Sequence, residues 1–278
     1  MAPSTEAGPR YRTTAFLCSY PRSGRTWLRF MLAHYLSSTL ELGVTIDFRT
    51  VFTVVPNRGR DPEKGTPAFR WWARPEVPLI LCDHGECAPG HQSHPVAFLT
   101  RHPLDMLVSY FHQCVEALGI FQGSLTEFLR DPGFGTPRLV RYLEGWAALL
   151  DQPQNLVLSY ESLLVDPYRG LSTIVRWLGL PHDVPVRDAS VQACTLDSMR
   201  RIERSGLDEP EKAWRVRRGR AGGHASEMNP DDIAWVRSVL RDRLDPALAQ
   251  RLGLEGAGTA DHSMTDDERT TCATSTEN

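Results

Sequence analysis

Short apolar runs alternate with longer segments of helical periodicity over the first two thirds of the chain. The apolar runs lie at residues 15–20, 78–82, 95–100 and 155–160. The helical patterns begin at Thr26, extend from Pro103 to about Leu118, and cover residues 137–150 and 167–178, the last closed by Gly179. Strands that alternate with helices form a parallel sheet with helices on both faces. The pattern therefore predicts an α/β protein with three layers, α/β/α, around a central parallel sheet.

The pattern beyond Pro181 contains helices only, at residues 185–204 and 230–244. No repeat or long linker argues for two domains, and 278 residues suffice for one substantial core. We expect a single domain over residues 13–254 with a helical C-terminal part. The flanking segments 1–12 and 255–278 are polar, and we expect both to be disordered.

The charge of the chain is unevenly distributed. The whole sequence has a formal charge of −3, but the acidic tail at residues 255–278 contains six acidic residues and one arginine. The remainder is therefore mildly basic, at about +2, which suits an anionic small ligand better than a long nucleic acid.

The cysteines and the apolar runs indicate a cellular compartment. Six cysteines are scattered without a paired framework, so we expect reduced thiols and no disulfides. The N-terminus lacks an apolar signal core, and no uninterrupted apolar run reaches about 18 residues. The sequence therefore predicts a cytoplasmic protein without membrane contact.

The segment between the first strand and the first helix has the composition of an anion-binding loop. Gly24 gives the turn conformational freedom, and Ser23 and Thr26 supply hydroxyls. The unpaired N–H groups of the first helical turn, the helix dipole, and the guanidinium groups of Arg22 and Arg25 all favour a bound phosphate or sulfate. The alternative is a strand-turn-helix corner whose arginines face water.

Candidate binding residues follow four different predicted strands. These residues are Arg22, His84, Arg101 and Tyr160. Because ligands bind beyond the carboxyl ends of the strands in an open parallel sheet, we expect them to share one site. Arg101 and Ser109, two turns into the next helix, are expected to converge on one anion, although their spacing alone leaves open a capped helix with a solvated arginine.

The loop differs from the one that binds nucleoside triphosphates. That motif, G-x-x-x-x-G-K-[ST], needs a first glycine and a lysine, whereas residues 21–27 are Pro-Arg-Ser-Gly-Arg-Thr-Trp. The segment resembles the 5′-phosphosulfate loop of the sulfotransferase family, usually Y-P-K-S-G-T-T-W. Residues 101–109 match the family's R-x-P-x-D-x-x-x-S segment, which binds a 3′-phosphate. The matches run in family order from residue 15 to about 225.

The resemblance implies a P-loop NTPase-like fold and a cofactor, 3′-phosphoadenosine 5′-phosphosulfate (PAPS), which is anionic at both ends of a nucleoside. Tyr160 is similar to the family's tyrosine that contacts the adenine, and Trp27 would pack on the same base. Arg217, Arg218 and Gly219 resemble the family's R-K-G loop, which folds over the 3′-phosphate. The full set of implied cofactor contacts is Arg22, Ser23, Gly24, Arg25, Thr26, Trp27, Arg101, Ser109, Tyr160, Arg217, Arg218 and Gly219.

His84 is the candidate catalytic base, because a side chain that titrates near neutrality can remove the acceptor proton. The resemblance aligns it with the family's catalytic histidine, although the family's K-T-H reads Cys-Asp-His here. Asp83 or Glu86 could supply a carboxylate base instead. Arg22 replaces the family's lysine that assists the departing phosphate; it can donate hydrogen bonds but cannot transfer a proton. Arg25 stands where the family usually has a threonine.

No metal is expected at the site. The sulfuryl group is less negative than a phosphoryl group, so no divalent cation is needed to mask its charge, and no acidic pair at the strand ends suits magnesium. A zinc site at Cys82, Cys87, His91 and His94 is also not expected, because their Cys-x4-Cys spacing is not that of a zinc knuckle.

The acceptor is the least constrained part of the prediction. The aromatic residues of the segment 40–78 either cover the core or form the wall of an acceptor pocket; they are Phe48, Phe52, Phe69, Trp71 and Trp72. We expect a PAPS-dependent sulfotransferase that acts on a hydroxyl of a small molecule, a natural product, and releases adenosine 3′,5′-bisphosphate (PAP). The alternatives are a nucleotide or small-molecule kinase of related fold and a nucleotide-binding module without turnover. The family's dimer motif is not recognisable, so the oligomeric state stays open.

Overall fold

Four parallel strands form the centre of the protein in a computed structural model, which describes residues 15–59, 68–206 and 221–254. The strands are β1 (Ala15–Cys18), β2 (Ile80–Asp83), β3 (Val96–Thr100) and β4 (Leu156–Ser159). Their order in the sheet is β2-β1-β3-β4, and every pair is parallel. All four predicted strands are therefore confirmed, each shorter than its apolar run.

Helices connect and cover these strands. In chain order they are α1 (Arg25–Thr39), α2 (Val51–Val54), α3 (Pro89–Gln92), α4 (Pro103–His112), α5 (Leu125–Arg130), α6 (Thr136–Leu150), α7 (Tyr160–Val165), α8 (Pro167–Trp177), α9 (Val184–Ala193), α10 (Leu196–Gly206), α11 (Pro230–Arg243) and α12 (Pro246–Arg251). A π-helical turn over Gln113–Ala117 continues α4, and Gly223–Ser226 forms a 3₁₀ turn. The predicted helix from Pro103 thus reaches its expected end.

The single helix predicted at residues 185–204 was wrong, because the structure has two. Helix α9 ends at Ala193, and the next residue, Cys194, has a φ of −111° and a ψ of 23°, which are not helical. The hydroxyl of Thr195 then accepts a hydrogen bond from the backbone N–H of Ser198 at 3.3 Å. A threonine in this position caps the start of a new helix, which explains the break.

The two faces of the sheet bury separate hydrophobic clusters. Leu17 of β1 packs in a cluster with residues of α1, α8 and α9. Its neighbours Phe16 and Cys18 point to the opposite face and pack with α4, α6 and α11. Successive residues of a strand alternate between faces, so one short strand contributes to both clusters. The predicted three-layer α/β/α architecture is confirmed.

A buried carboxylate fixes the 3₁₀ turn to the start of α4. Asp105 accepts hydrogen bonds from the backbone N–H of Gly222 at 2.6 Å and of His224 at 2.9 Å. The Nδ1 of His224 donates to the same carboxylate at 2.8 Å. Burial raises the pKa of Asp105, but the hydrogen bonds and the charge of Arg101 outweigh it and lower the pKa from 3.8 to about 2.

The described helices do not match the dimensions of a lipid bilayer. None of the helices in these three ranges combines the length and the apolar character needed to cross a membrane.

We expect Asp105→Asn to destabilise the protein at neutral pH by about 2 kcal/mol, since the depressed pKa means that the folded state favours the carboxylate. This contribution is present above the ordinary pKa of 3.8 and is lost as the pH falls to about 2. Urea unfolding of both proteins should therefore show a difference at pH 7 that shrinks below pH 4. Asp242→Asn, at an exposed site, is the control; equal losses at pH 7 would contradict the account.

Candidate active site

The loop after β1 has a constrained backbone. Arg22 has a φ of 68° and Gly24 a φ of 90°, so two of three consecutive residues are left-handed. For a residue other than glycine this conformation costs about 1 kcal/mol or more. Buried Ser23 lies between them, and its hydroxyl donates to the carbonyl of Tyr20 at 2.9 Å. This internal hydrogen bond holds the loop as a compact turn that leads directly into α1.

Gly24 permits the ring of Tyr160 to approach the loop. A Cβ at Gly24 would lie 2.4 Å from Cδ2 of Tyr160 and 2.8 Å from Cε2. Such distances are far below van der Waals contact. The glycine is therefore required both by its φ and by the aromatic ring that follows β4.

The residues predicted to bind the 3′-phosphate lie next to this loop. The Nε of Arg22 donates to the hydroxyl of Ser109 at 3.0 Å. The Nη1 of Arg101 donates to the carbonyl of Arg22 at 3.0 Å, and its guanidinium lies 4.6 Å from the centre of the Tyr160 ring. Three polar groups from β1, β3 and α4 thus converge at one edge of the sheet, as the strand ends predicted.

Two aromatic rings lie beside these groups. Trp27 contacts Tyr160 edge to face, with 6.1 Å between ring centroids. The indole N–H of Trp27 donates to the carbonyl of Cys194 at 2.7 Å, which ties α1 to the end of α9. Thr26 lies in the same helical turn and is half-buried. The resemblance implied that both rings contact the adenine of the cofactor, but the hydrogen bond to Cys194 was not foreseen.

His84 lies on the other side of the loop, directly after β2. Its Nδ1 is 2.7 Å from the carbonyl oxygen of Ser19. A carbonyl only accepts, so Nδ1 carries the proton and Nε2 has a free lone pair. Burial, followed by the charges of Arg25 and Arg29, lowers the pKa of His84 well below its ordinary value of 6.5. The imidazole is therefore neutral at pH 7 and fixed in one tautomer.

The alternative bases have other surroundings. Asp83 accepts a hydrogen bond from Arg58 at 2.9 Å and from His91 at 3.1 Å. Its pKa is lowered because its hydrogen bonds and its neighbours Arg58 and His91 outweigh the effect of its burial. Glu86 is exposed. Asp83 and His84 are adjacent in sequence, yet Asp83 contacts the loop after β1 through its backbone carbonyl, which accepts from the N–H of Ser19 at 3.2 Å, whereas His84 contacts it through its side chain.

Arg25 is the first residue of α1, and its side chain lies on the His84 side of the loop. Its Nη1 is buried and has no hydrogen-bond partner in the part of the chain that the structure describes. Burial lowers the pKa of Arg25 to about 10, so it remains charged at neutral pH. The first turn of α1 contains no acidic residue that could neutralise it.

Residues considered for metal binding make other contacts. The sulfur of Cys82 lies 3.1 Å from the Nε of Arg29. His91 is hydrogen-bonded to Asp83. Elsewhere in the described ranges, His102, Asp105 and His224 lie close enough to form a potential metal site. Asp105 and His224 are hydrogen-bonded to each other, however, and the ring of His102 stacks on that of His224. These contacts account for the cluster without an ion.

Some of the aromatic residues in the segment 40–78 pack in the hydrophobic core. Phe48 and Phe69 are buried, and Phe48 packs against Phe30 of α1. Trp72 is 45% exposed. Partly accessible members of the set thus remain candidates for an acceptor wall. The predicted cofactor residues Arg217, Arg218 and Gly219 lie outside the described residues.

Comparison with known proteins decides between the candidate families. The chain matches the family model of the sulfotransferase domain over residues 95–249, more than half of its length. The chain belongs to the sulfotransferase family. It is accordingly a PAPS-dependent sulfotransferase.

Sequence relatives cover nearly the whole chain. Flavonol 3-sulfotransferase of Flaveria bidentis is 23% identical, covering 87% of this chain and 82% of the relative. Sulfotransferase 1C2 of Rattus norvegicus is 22% identical, with 85% and 82% coverage. These alignments extend the likeness beyond the residues that match the domain model.

Solved structures show the same fold. Mouse sulfotransferase SULT7A1 complexed with PAP is 16% identical, with a TM-score of 0.64 and coverage of 87% of this chain and 88% of that one. Retinol dehydratase in complex with androsterone and the inactive cofactor PAP is 17% identical, with a TM-score of 0.59 and coverage of 86% and 82%. At these identities the likeness concerns the fold alone.

Replacing Gly24 with alanine should disrupt the loop. The new Cβ would clash with Tyr160 in addition to requiring a positive φ, so we expect a loss of roughly 2 kcal/mol in stability and at least about tenfold in PAP affinity. Calorimetric titration with PAP and thermal unfolding measure the two effects.

Gly43→Ala is the matched control, because Gly43 has a φ of 63° and no atom within 4 Å of the position that a Cβ would take there. It should show only the cost of the positive φ and should bind PAP normally. Equal behaviour of the two variants would argue against the role of the Tyr160 contact.

Proposed function

We propose that this sulfotransferase moves the sulfuryl group of PAPS to a hydroxyl of a small natural product, with His84 as the catalytic base. The observation that carries the proposal is the hydrogen bond from Nδ1 of His84 to the carbonyl of Ser19 at 2.7 Å. It directs the basic Nε2 away from the strand and keeps the base beside the anion-binding loop. The same bond raises the pKa of His84 and so opposes Arg25 and Arg29, whose charges lower it.

The donor set of the site fits PAPS. Arg22, Ser109 and Arg101 supply cationic and hydroxyl donors suited to phosphate oxygens. The rings of Trp27 and Tyr160 supply an aromatic surface suited to a nucleobase. When bound, PAPS supplies the sulfuryl group and a leaving phosphate. We assign the 5′ end to the loop Arg22–Thr26 and its amides, and the 3′-phosphate to Arg101 and Ser109.

Each catalytic side chain has one task. His84 accepts the acceptor's proton at Nε2 while its Nδ1–H stays on the Ser19 carbonyl, which stabilises the imidazolium as it forms. Arg22 stabilises negative charge on the departing phosphate by hydrogen bonds, and it stays protonated throughout. Asp83 is held in its ion pair with Arg58 and takes no part in this scheme.

The acceptor class rests on relatives and on the aromatic segment. One relative is named for a flavonol, and the solved retinol dehydratase structures contain androsterone or retinol. Phe52, Trp71 and Trp72 would offer a similarly apolar wall to a natural product. The described cysteines are free thiols, which supports a reducing compartment such as the cytoplasm.

The cofactor can be tested without knowing the acceptor. PAP should raise the melting temperature through its preferential binding to the folded protein, whereas Mg-ATP, which lacks the 3′-phosphate, should do so far less. EDTA should leave the stabilisation by PAP unchanged. Equal stabilisation by Mg-ATP, or loss of the PAP effect in EDTA, would favour the kinase alternative.

His84→Ala should lower the turnover number by about 10²–10⁴ while leaving PAP affinity nearly intact, because the residue acts as a base on the acceptor side. Arg22→Ala should reduce both turnover and PAP affinity, since it lies among the phosphate donors. Steady-state kinetics and PAP titration separate the two patterns. A folded, PAP-binding His84→Ala enzyme with most of its activity would sink the assignment.

The pH profile provides an independent test of the same base. Protonation of His84 removes the lone pair that accepts the proton, and its lowered pKa delays this until the pH is well below 6.5. Plots of kcat/KM against pH should therefore stay level from pH 7 through 6.5 and decline only at lower pH. A decline centred at or above 6.5 would contradict the buried, neutral imidazole.

A further inference from the structure

Arg25, which the resemblance counts among the cofactor contacts, has a buried cationic nitrogen that the catalytic scheme proposed above does not use. Its Nη1 is shielded from solvent and lacks a hydrogen-bond partner among the described residues. A buried charge without a partner is costly, and proteins place one mainly where a ligand completes its environment. The family's usual threonine at this position would bring no such charge. The arginine therefore calls for an anionic partner that arrives with a ligand.

The surroundings of Arg25 indicate that its anionic partner belongs to the acceptor, which binds on the His84 side of the loop. The side chain of Arg22 donates to Ser109, and Arg101 donates to the backbone carbonyl of Arg22, so these three residues lie on the β3 side of the loop. Arg29, one turn further along the same face of α1, lies 3.1 Å from the sulfur of Cys82 of β2, which places this face against β2. Arg25 also lowers the pKa of His84, which follows that strand. The two loop arginines thus diverge, and Arg25 shares its side with the catalytic base.

A second buried donor lies in the same region. Tyr142 of α6 is 4% exposed, and its hydroxyl lies beside the indole N–H of Trp146, which can only donate, so the proton of the hydroxyl has no acceptor among the described residues. Burial raises the pKa of Tyr142 well above its ordinary value, and the charge of Arg25 works in the opposite direction. Tyr142 therefore lies within the field of Arg25 and remains an uncharged O–H donor at neutral pH.

We propose that Arg25, assisted by Tyr142, binds a carboxylate of the acceptor and so selects hydroxyl compounds that carry an acidic group. The proposal rests on the sulfuryl-transfer function described above and names the acceptor class of that site. A planar guanidinium suits a carboxylate, which is a far stronger hydrogen-bond acceptor than a neutral ester. The alternative is that Arg25 binds the oxygens of the sulfuryl group. That contact would form with every acceptor, whether or not the acceptor carries a carboxylate.

Matched acids and esters distinguish these two sources. The probes are 4-hydroxybenzoate, 4-hydroxyphenylacetate and 3-(4-hydroxyphenyl)propionate, each with its methyl ester, so that the spacing between hydroxyl and carboxylate varies. Binding to the PAP-loaded enzyme is measured by calorimetric titration, which requires no turnover. At least one acid should bind about tenfold or more tightly than its ester, a difference typical of one charge-assisted contact.

Variants of Arg25 and Tyr142 test whether these two donors cause the preference for acids over esters. Arg25→Thr, which installs the family's usual residue, should reduce the acid-to-ester ratio to about one, and Arg25→Lys should retain part of it. Tyr142→Phe should reduce the ratio by a smaller factor. Arg243→Thr removes an exposed arginine at the end of α11 and should leave the ratio unchanged. PAP binding by each variant verifies that it is folded.

The outcomes separate this inference from the function on which it rests. If the wild-type protein fails to bind PAP, the sulfotransferase assignment fails. If PAP binds but no acid exceeds its ester, or if Arg25→Thr leaves the ratio intact, only the role of Arg25 is overturned. Equal loss of turnover for acids and esters in Arg25→Thr, with a wild-type ratio near one, would assign Arg25 to the sulfuryl oxygens.

Discussion

The path of the backbone from Ser19 to Gly24 is the constraint on which the rest of the site depends. The Ser19 carbonyl fixes the tautomer of His84, and the Arg22 carbonyl receives Arg101. Gly24 leaves the space that the ring of Tyr160 occupies. Backbone groups of one turn thus position side chains that follow β2, β3 and β4. A shift of this turn would move the proposed base and the proposed phosphate ligands together.

The turn is stabilised by its surroundings, because its own conformation is unfavourable. Two left-handed residues within three positions, one of them Arg22, cost free energy that an isolated peptide would avoid. Burial of Ser23 and its hydrogen bond to Tyr20 offset this cost, as does the packing of α1 behind the loop. The rigid sheet and α1 therefore hold ready a loop that is already shaped for an anion, so little ordering is required on binding.

Positive charge dominates the site, and this has two consequences. Arg22, Arg25 and Arg101 lie around one loop, and the first turn of α1 has no acidic residue. Anionic ligands are favoured, because they reduce the mutual repulsion of the guanidinium groups. Burial, together with the charge of Arg25, keeps His84 unprotonated at neutral pH, as a base requires. The replacement of lysine by arginine in the loop is compatible with this arrangement.

The sequence predicted those parts of the site that depend on local chain geometry. Strand ends placed Arg22, His84, Arg101 and Tyr160 at one edge, because parallel strands all end on the same side. Residue types alone could not decide whether Asp83 or His84 is the base. In the structure the two side chains point to different neighbours: Asp83 contacts Arg58, and His84 contacts the carbonyl of Ser19. The Asp105–His224 pair and the contribution of Tyr142 were missed, since contacts over more than a hundred residues leave no local signal.

The divergence of Arg22 and Arg25 shows how one loop can separate two kinds of recognition. The left-handed residue Gly24 lies between them, so side chains three positions apart leave the turn in different directions. Arg22 meets Ser109 on the phosphate side, whereas Arg25 begins α1 and extends toward β2 and the catalytic base. Because the backbone amides and Arg22 serve the nucleotide, residue 25 can vary without loss of those contacts. In this chain the position after the loop glycine is therefore suited to select the acceptor while cofactor recognition is kept.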